Sequence, residues 1–342
     1  SSLISDFKIL SLEASLFYFR FYIFSLSVWY LLDEDNIILR KFSIVLLITI
    51  SFAILNGYFQ YFYGQNIFGI VSNSNSRLTL LLSDKLYLGG YITRFLPLCF
   101  GLMIVSFYKN WNPYIYALLF FILFISSDIL VFITGERTAF LLLIMLTLLF
   151  IFLVSSLKAV RIFGFIFSAI LIIIISFNSV TLKERNIDHT LRQLGITSDQ
   201  YSPRHTPLYI GSYLVFKDNI IFGTGPKTYR EICKEEQYNL DKYSCSTHSH
   251  NTYLQILAET GIIGFAFVFF AFCYVVLKFC RYTINYYIYN KKTLSDFQIC
   301  LLICFFLTLW PIQPTMSFFS NWINRIYYFP LGFYLYTIYN TQ

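Results

Sequence analysis

The run His248-Ser249-His250-Asn251 carries the side chains best suited to proton transfer in this chain. The sequence has only four histidines, and His205, His248 and His250 all fall late in one polar stretch, 179–253. Imidazole has the ordinary pKa nearest neutrality, so such a run can take and give protons. Leu254 to Gly264 follow at once and begin an apolar run that contains Glu259. The histidines therefore stand where a hydrophobic helix enters from water. A second set of residues is cationic. Arg20, Arg94 and Arg325 lie inside apolar runs, and Arg137 lies in a short turn between two of them. Arginine keeps its proton and forks onto phosphate oxygens. Within a membrane span it is expensive and marks function by default. For Arg20 and Arg325 the ordinary alternative is snorkelling to the headgroups. Charges of this kind at one depth predict an anion held at the outer leaflet.

The elements that position these residues follow from composition. Hydrophobic residues make up 57% of the 342 positions and charged ones 13%. Soluble domains carry about 25% charge, so the chain reads as an integral membrane protein. The aromatic content of 21% suits lipid-facing and interfacial surfaces. The net charge of +7 is spread over short loops, which excludes a nucleic-acid surface. Against the roughly 20 residues that span a bilayer, the apolar runs lie near 14–32, 40–57, 89–107, 113–133, 138–155, 160–178, 254–279, 297–312 and 323–340. That is an all-α polytopic transmembrane bundle of about nine spans. No run alternates with the period of a barrel strand, and helices are the remaining way to satisfy the backbone in lipid.

Lys and Arg set the orientation. Arg40 and Lys41, Lys109, Lys158 and Arg161, and then Lys278, Arg281, Lys291 and Lys292 fall on one side if the spans alternate. That side is expected to be cytoplasmic. The segment 58–88, the turn 134–137 and the loop 179–253 then face outward. An external N-terminus and the initial Ser1 predict that upstream helices, odd in number, are missing. The expected division is 1–178 as membrane helices with an external segment at 58–88, 179–253 as a large external loop subdomain, and 254–342 as the closing helices.

The long loop reads as a small folded unit. Gly223-Thr224-Gly225-Pro226 is a turn by its Gly and Pro content, and its Gly-x-Gly is a weak phosphate-loop signal. Cys233 and Cys245 are the two cysteines of this loop, and an oxidising exterior would let them pair. Cys99, Cys273, Cys280, Cys300 and Cys304 lie in or beside spans and read as small apolar filler. No Cys-x-x-Cys pattern occurs, and no carboxylate or thiolate stands at motif spacing from His248 and His250. No metal and no cofactor are expected. Nucleotide-loop, serine-elbow and kinase patterns are not present.

His250-Asn251, nine residues, then Gly261-Ile262-Ile263-Gly264 resembles the signature of the O-antigen ligase and O-antigen polymerase superfamily. The fuller stretch 248–265, HSHNTYLQILAETGIIGF, is similar to that consensus almost throughout. Gly135-Glu136-Arg137-Thr138-Ala139 resembles a second landmark, and Arg204 with the stretch 217–229 a third. The stretches 16–32 and 60–69 are similar to polymerase-type members. The resemblance implies a GT-C-like bundle acting as a metal-independent, inverting glycosyltransferase. The donor would be a glycan on undecaprenyl pyrophosphate, used at the periplasmic face of the bacterial inner membrane. The acceptor would be a second lipid-linked glycan in a polymerase or lipid A-core in a ligase, with 16–32 and 60–69 favouring the polymerase. Membrane lipids and a chain-length regulator complete the implied partners. His250 is then the general base, oriented by Asn251 or Glu259, and Arg137 and Arg204 clamp the pyrophosphate. Arg94 and Arg20 are candidates for lipid-phosphate contact, and His248 shapes the site. A flippase would also want intramembrane Arg but predicts internal repeats and deep charges. A sensor or scaffold leaves the histidines and arginines unexplained.

Overall fold

The computed structural model describes residues 1–71, 77–79, 87–193 and 205–340. In chain order the helices are α1 (Lys8–Ser15), α2 (Phe19–Glu34), α3 (Asn36–Tyr63), α4 (Leu88–Phe107), α5 (Pro113–Ile133), α6 (Arg137–Leu153) and α7 (Lys158–Asn178). Then come α8 (Val180–Lys183), a π-turn (Glu184–Asp188), α9 (His189–Gln193), α10 (Thr206–Asp218), α11 (Tyr229–Ile232), α12 (Thr252–Tyr287), α13 (Asp296–Thr308) and α14 (Asn321–Tyr339). The nine apolar runs fall largely on helices, but 14–32 is divided between α1 and α2 and 297–312 runs past the end of α13. Among the described residues, six stretches are long and apolar enough to cross a membrane: 8–34, 37–63, 88–107, 113–133, 158–178 and 252–287. Helices α6 and α13 are apolar but shorter. The chain is an all-helical, polytopic membrane protein.

Two compact units divide it, each assembled from separate stretches. One comprises Ser1–Trp29, Arg192–Arg281 and Thr308–Leu335, and the other Tyr30–Leu191, Tyr282–Leu307 and Tyr336–Gln342. In the second unit α4 is the most buried span and packs against α3, α5 and α6, while α7 packs on α5. Close approach explains Gly101 on α4, since a Cβ there would lie 2.7 Å from Cys300 Cβ. Cys99, Cys300 and Cys304 are buried filler in this unit, as their apolar settings predict.

The last turn of a helix leaves its carbonyls without internal donors. At the end of α6 these are met by Arg161, which is 1% exposed. Its guanidinium donates to the carbonyls of Phe150, Val154 (2.5 Å) and Ser156 (3.0 Å). Asp296, the first residue of α13, accepts from the Ser155 and Ser156 N–H groups at 3.1 and 2.7 Å and pairs with Lys292 at 2.8 Å. Arg161 therefore corrects the orientation argument. It is a buried helix cap and not a loop charge facing water.

In the first unit the long loop has its own apolar core of Leu208, Val215, Tyr229, Ile232, Cys233, Tyr238 and Ala258. The loop joins α12 at a break in that helix. Gly261 has φ +65°, a left-handed value that suits glycine. In an unbroken helix the Ala258 carbonyl would take the Ile262 N–H. Here Thr224 N–H donates to Ala258 O (3.0 Å), Gly225 N–H to Glu259 O (2.8 Å), and Ile262 N–H to Ile220 O (2.8 Å). The two backbones touch. A Cβ on Gly261 would lie 2.3 Å from Ile221 O, and one on Gly223 would lie 2.4 Å from the Glu259 carbonyl carbon.

The buried cap gives a stability test. Arg161→Met leaves carbonyls without donors at about 1–3 kcal/mol each. The purified variant is expected to unfold several degrees below wild type in detergent, and an unchanged midpoint would show that the cap is dispensable.

Candidate functional site

The imidazoles sit at the start of α12. Asn251 caps this helix, its Oδ1 accepting from the Tyr253 and Leu254 N–H groups at 3.0 and 3.1 Å. Its Nδ2 donates to Pro311 O at 2.8 Å. Further ties bind 248–255 to the stretch 309–318. Thr315 N–H donates to His250 O (2.8 Å), Tyr253 OH to Leu309 O (2.6 Å), and Phe318 N–H to Gln255 Oε1 (2.8 Å). The His-Asn pair thus fixes the polypeptide on both sides of the imidazole. His250 itself has φ +54°, a conformation that costs a non-glycine residue and is held by its surroundings.

His248 Nε2 lies 3.1 Å from Thr315 O, and its Nδ1 lies 3.0 Å from Thr247 Oγ1. A carbonyl only accepts, so Nε2 carries the proton and Nδ1 accepts from the hydroxyl. The rings of His248 and His250 are 4.1 Å apart, and that of His205 is 5.8 Å from His250. Ser246 Oγ is 3.4 Å from His250 Nε2. Burial, then His248, then His205 hold the His250 imidazole down to about 4. His248 is also lowered by burial and by the Arg230 guanidinium, against the bond to Thr315. Both rings are neutral at physiological pH, and a neutral imidazole can accept a proton.

Glu259 is fully buried on α12 and serves the Gly-rich turn. It accepts from Lys227 N–H (2.9 Å), Tyr229 N–H (3.1 Å) and Gln255 Nε2 (3.0 Å). Its described partners are therefore the turn and Gln255, not His250. Gly223 is accounted for by the crossing with α12, and Gly225 (φ +112°) by Ser5 and Ser11, since a Cβ there would lie 2.6 Å from Ser11 Oγ. Arg20, exposed on α2, donates to Asn321 Oδ1 and lies 4.9 Å from the centre of the Phe21 ring.

The other unit gathers its charges at the turn between α5 and α6. Gly135 turns the chain with φ +67°. Glu136 Oε1 and Oε2 accept from the N–H groups of Gly89 and Gly90 at 2.8 and 2.9 Å. Arg94 Nη1 donates to Gly90 O (3.2 Å), and Arg185 Nε to Gly135 O (2.9 Å). Half-buried Arg137 opens α6 on the same turn. Burial raises the Glu136 carboxyl to about 7, against the glycine N–H bonds and the charges of Arg94 and Arg77.

His248, His250 and Asn251 are thus assembled in one unit, and in the other Arg94 on α4 lies near Glu136, the residue before Arg137. Arg204 lies outside the described residues. Sequence reasoning gave no role to Glu136, Arg185, Arg77 or Arg230. The landmark at 135–139 was read for Arg137 alone although Glu136 stands beside it, and Arg185 reaches this turn from 50 positions away and carried no signal.

Residues 117–269 match the family model described as O-antigen ligase. The matched stretch contains Arg137, Arg204, His248, His250, Asn251 and Glu259, while Arg20 and Arg94 precede it. No curated protein and no solved structure matches the chain.

The loop core is closed by a Cys233–Cys245 disulfide with a Cα–Cα distance of 5.0 Å. The bond pairs the two loop cysteines as their shared setting predicts. Closing an interval of this size contributes about 2–3 kcal/mol to local order. Protein purified without reductant is expected to show Cys233 and Cys245 protected from alkylation until reduction, with the Cys→Ser pair unfolding at lower temperature. Alkylation of both thiols without reductant would contradict the bridge.

Proposed function

From the match of residues 117–269 to the O-antigen ligase family model, we propose that the chain is a member of that superfamily and transfers a glycan from undecaprenyl pyrophosphate to an acceptor hydroxyl. The observation that carries this reading is His250: a neutral imidazole at the mouth of α12, flanked by His248 in a defined tautomer. His250 takes the proton of the acceptor hydroxyl as its oxygen attacks the anomeric carbon. The bond from that carbon to the pyrophosphate oxygen breaks, the electron pair leaves with undecaprenyl pyrophosphate, and the configuration inverts. Arg137 and Arg204 hold the departing charge, because guanidinium groups aimed at developing anionic charge lower the barrier most directly. The imidazolium then returns its proton to water. Arg94 and Arg20 contact lipid phosphate, and the reaction faces the periplasm at the inner membrane.

The acceptor is a second lipid-linked glycan, which makes the protein an O-antigen polymerase. The similarity of 16–32 and 60–69 to polymerase-type members supports this choice. The ligase reading, with lipid A-core as acceptor, has its own support in the description of the matched family model.

The test uses purified lipid-linked glycan and follows new glycosidic bonds. His250→Ala is expected to lose transfer by about 10²–10⁴-fold, the range for a general base, with expression near wild type. Arg137→Lys is expected to keep only part of the activity, since an ammonium lacks the guanidinium fork. A chelator is expected to leave wild-type activity unchanged. Full activity in His250→Ala would remove the base assignment. Products elongated only on lipid A-core would select the ligase.

A further inference from the structure

The long loop returns to α12 at the break in that helix, and the side chains it brings there are apolar. Ile220, Ile221 and Phe222 are 52, 57 and 48% exposed. Three consecutive exposed apolar residues do not suit a loop surrounded by water. Their main chain is pinned to the helix. Ile220 O accepts from Ile262 N–H at 2.8 Å, and a Cβ on Gly261 would lie 2.3 Å from Ile221 O. This is also the level at which α12 turns apolar. Gln255 and Glu259 precede the break, whereas 262–277 holds no charged or amide side chain before Lys278. Ile262, Ile263, Phe267 and Phe270 are exposed on that part, as suits a helix that faces lipid. The apolar surface of the tip therefore continues the one that α12 turns to the bilayer. Helix α10, which leads into the tip, has the same two sides. Leu208, Gly211, Ser212 and Val215 are buried, while Ile210, Tyr213 and Lys217, at helical spacing, are exposed. Tyrosine favours the membrane–water interface, and lysine beside it suits anionic headgroups.

We infer that residues 220–222 form a membrane-inserted tip, with Ile220, Ile221 and Phe222 among the acyl chains beside Ile262 and Ile263, and Tyr213 and Lys217 at the headgroups. The occupant of this surface is the lipid leaflet that α12 enters. The inference goes beyond glycan transfer and does not rest on it. It divides the stretch 179–253, expected from the sequence to lie wholly outside the membrane, into a part in water and a part in lipid. Non-helical backbone is tolerated near lipid where protein takes up its polar groups. Here Gly223 N–H donates to Asn219 O (3.0 Å), and Thr224 and Gly225 donate to α12 as the chain leaves the tip. The segment Thr252–Thr260 then separates His250 from the lipid boundary by about 14 Å along the helix.

Phe222→Trp and Ile221→Trp each place an indole at the tip, and Glu236→Trp places one at an exposed residue of the same loop as the control. The full chain is reconstituted in nanodiscs of phosphatidylcholine and phosphatidylglycerol, with plain or acyl-brominated lipid. The emission of the wild type, which has four tryptophans, is subtracted. Both tip indoles are expected to emit to the blue of the control, to lose emission in brominated lipid and to resist iodide in the water. The Glu236→Trp indole is expected to be quenched by iodide and not by bromine. Iodide quenching of the tip indoles without bromine quenching overturns the inference, because it places the tip in water. Resistance of the tip indoles to both quenchers also overturns it, in favour of a second copy of the chain covering the tip. Bromine quenching of the Glu236→Trp indole as strong as that of the tip overturns it as well, since lipid contact would then not be confined to 220–222.

Discussion

The arrangement around the histidines depends on one break in a helix. Gly261 takes the Ala258 carbonyl and the Ile262 N–H out of each other's reach and offers them, with the Glu259 carbonyl, to residues 220–225. A membrane helix is normally closed to outside backbone partners because it satisfies its own groups. Opening one turn lets the long loop dock through main-chain bonds, and glycine on both sides lets the chains approach that closely. The docked turn is then held by Glu259, and the start of the same helix by Asn251. Capping, docking and the strained backbone at His250 are parts of one local solution.

The two units share a device. In each, a carboxylate accepts backbone N–H groups from a separate element and so fastens two pieces of main chain. Glu259 does this for Lys227 and Tyr229, and Glu136 for Gly89 and Gly90. Each is adjacent in sequence or structure to a strongly basic residue. Arg137 follows Glu136 directly, and Arg230 follows the Tyr229 that Glu259 binds. Such carboxylates look catalytic in a sequence, since a lone acid in an apolar run invites that reading. Their described contacts are those of positioning groups.

Much of the fold was legible because lipid leaves few options. Apolar runs must be helices, and those identified from the sequence lie largely on helices. The His-Asn motif, the Arg137 turn and the Cys233–Cys245 pair could be recognised because their residues are contiguous or share one loop. Arg161 was misread because a basic residue near a span end resembles an orientation charge. Only the fold reveals that it caps α6 from within the protein. Asn251 or Glu259 was expected to orient His250, and the bend at Gly261 and the docked turn give the Glu259 carboxyl other donors. Arg185 and Arg230 were invisible, because long-range return of a loop to a turn leaves no local pattern.

The central claim is that His250 acts as a neutral base in a partly desolvated site. The pH dependence of kcat/KM for glycan transfer tests it most directly, since it reports the free enzyme's essential base. Burial and the neighbouring imidazoles depress His250 to about 4. The neutral form therefore persists as pH falls through the ordinary imidazole range. The account predicts full kcat/KM down through pH 6.5 and an acid limb near 4 that His250→Ala abolishes along with the activity. An acid limb centred near 6.5, or the same profile and rate in His250→Ala, would contradict it.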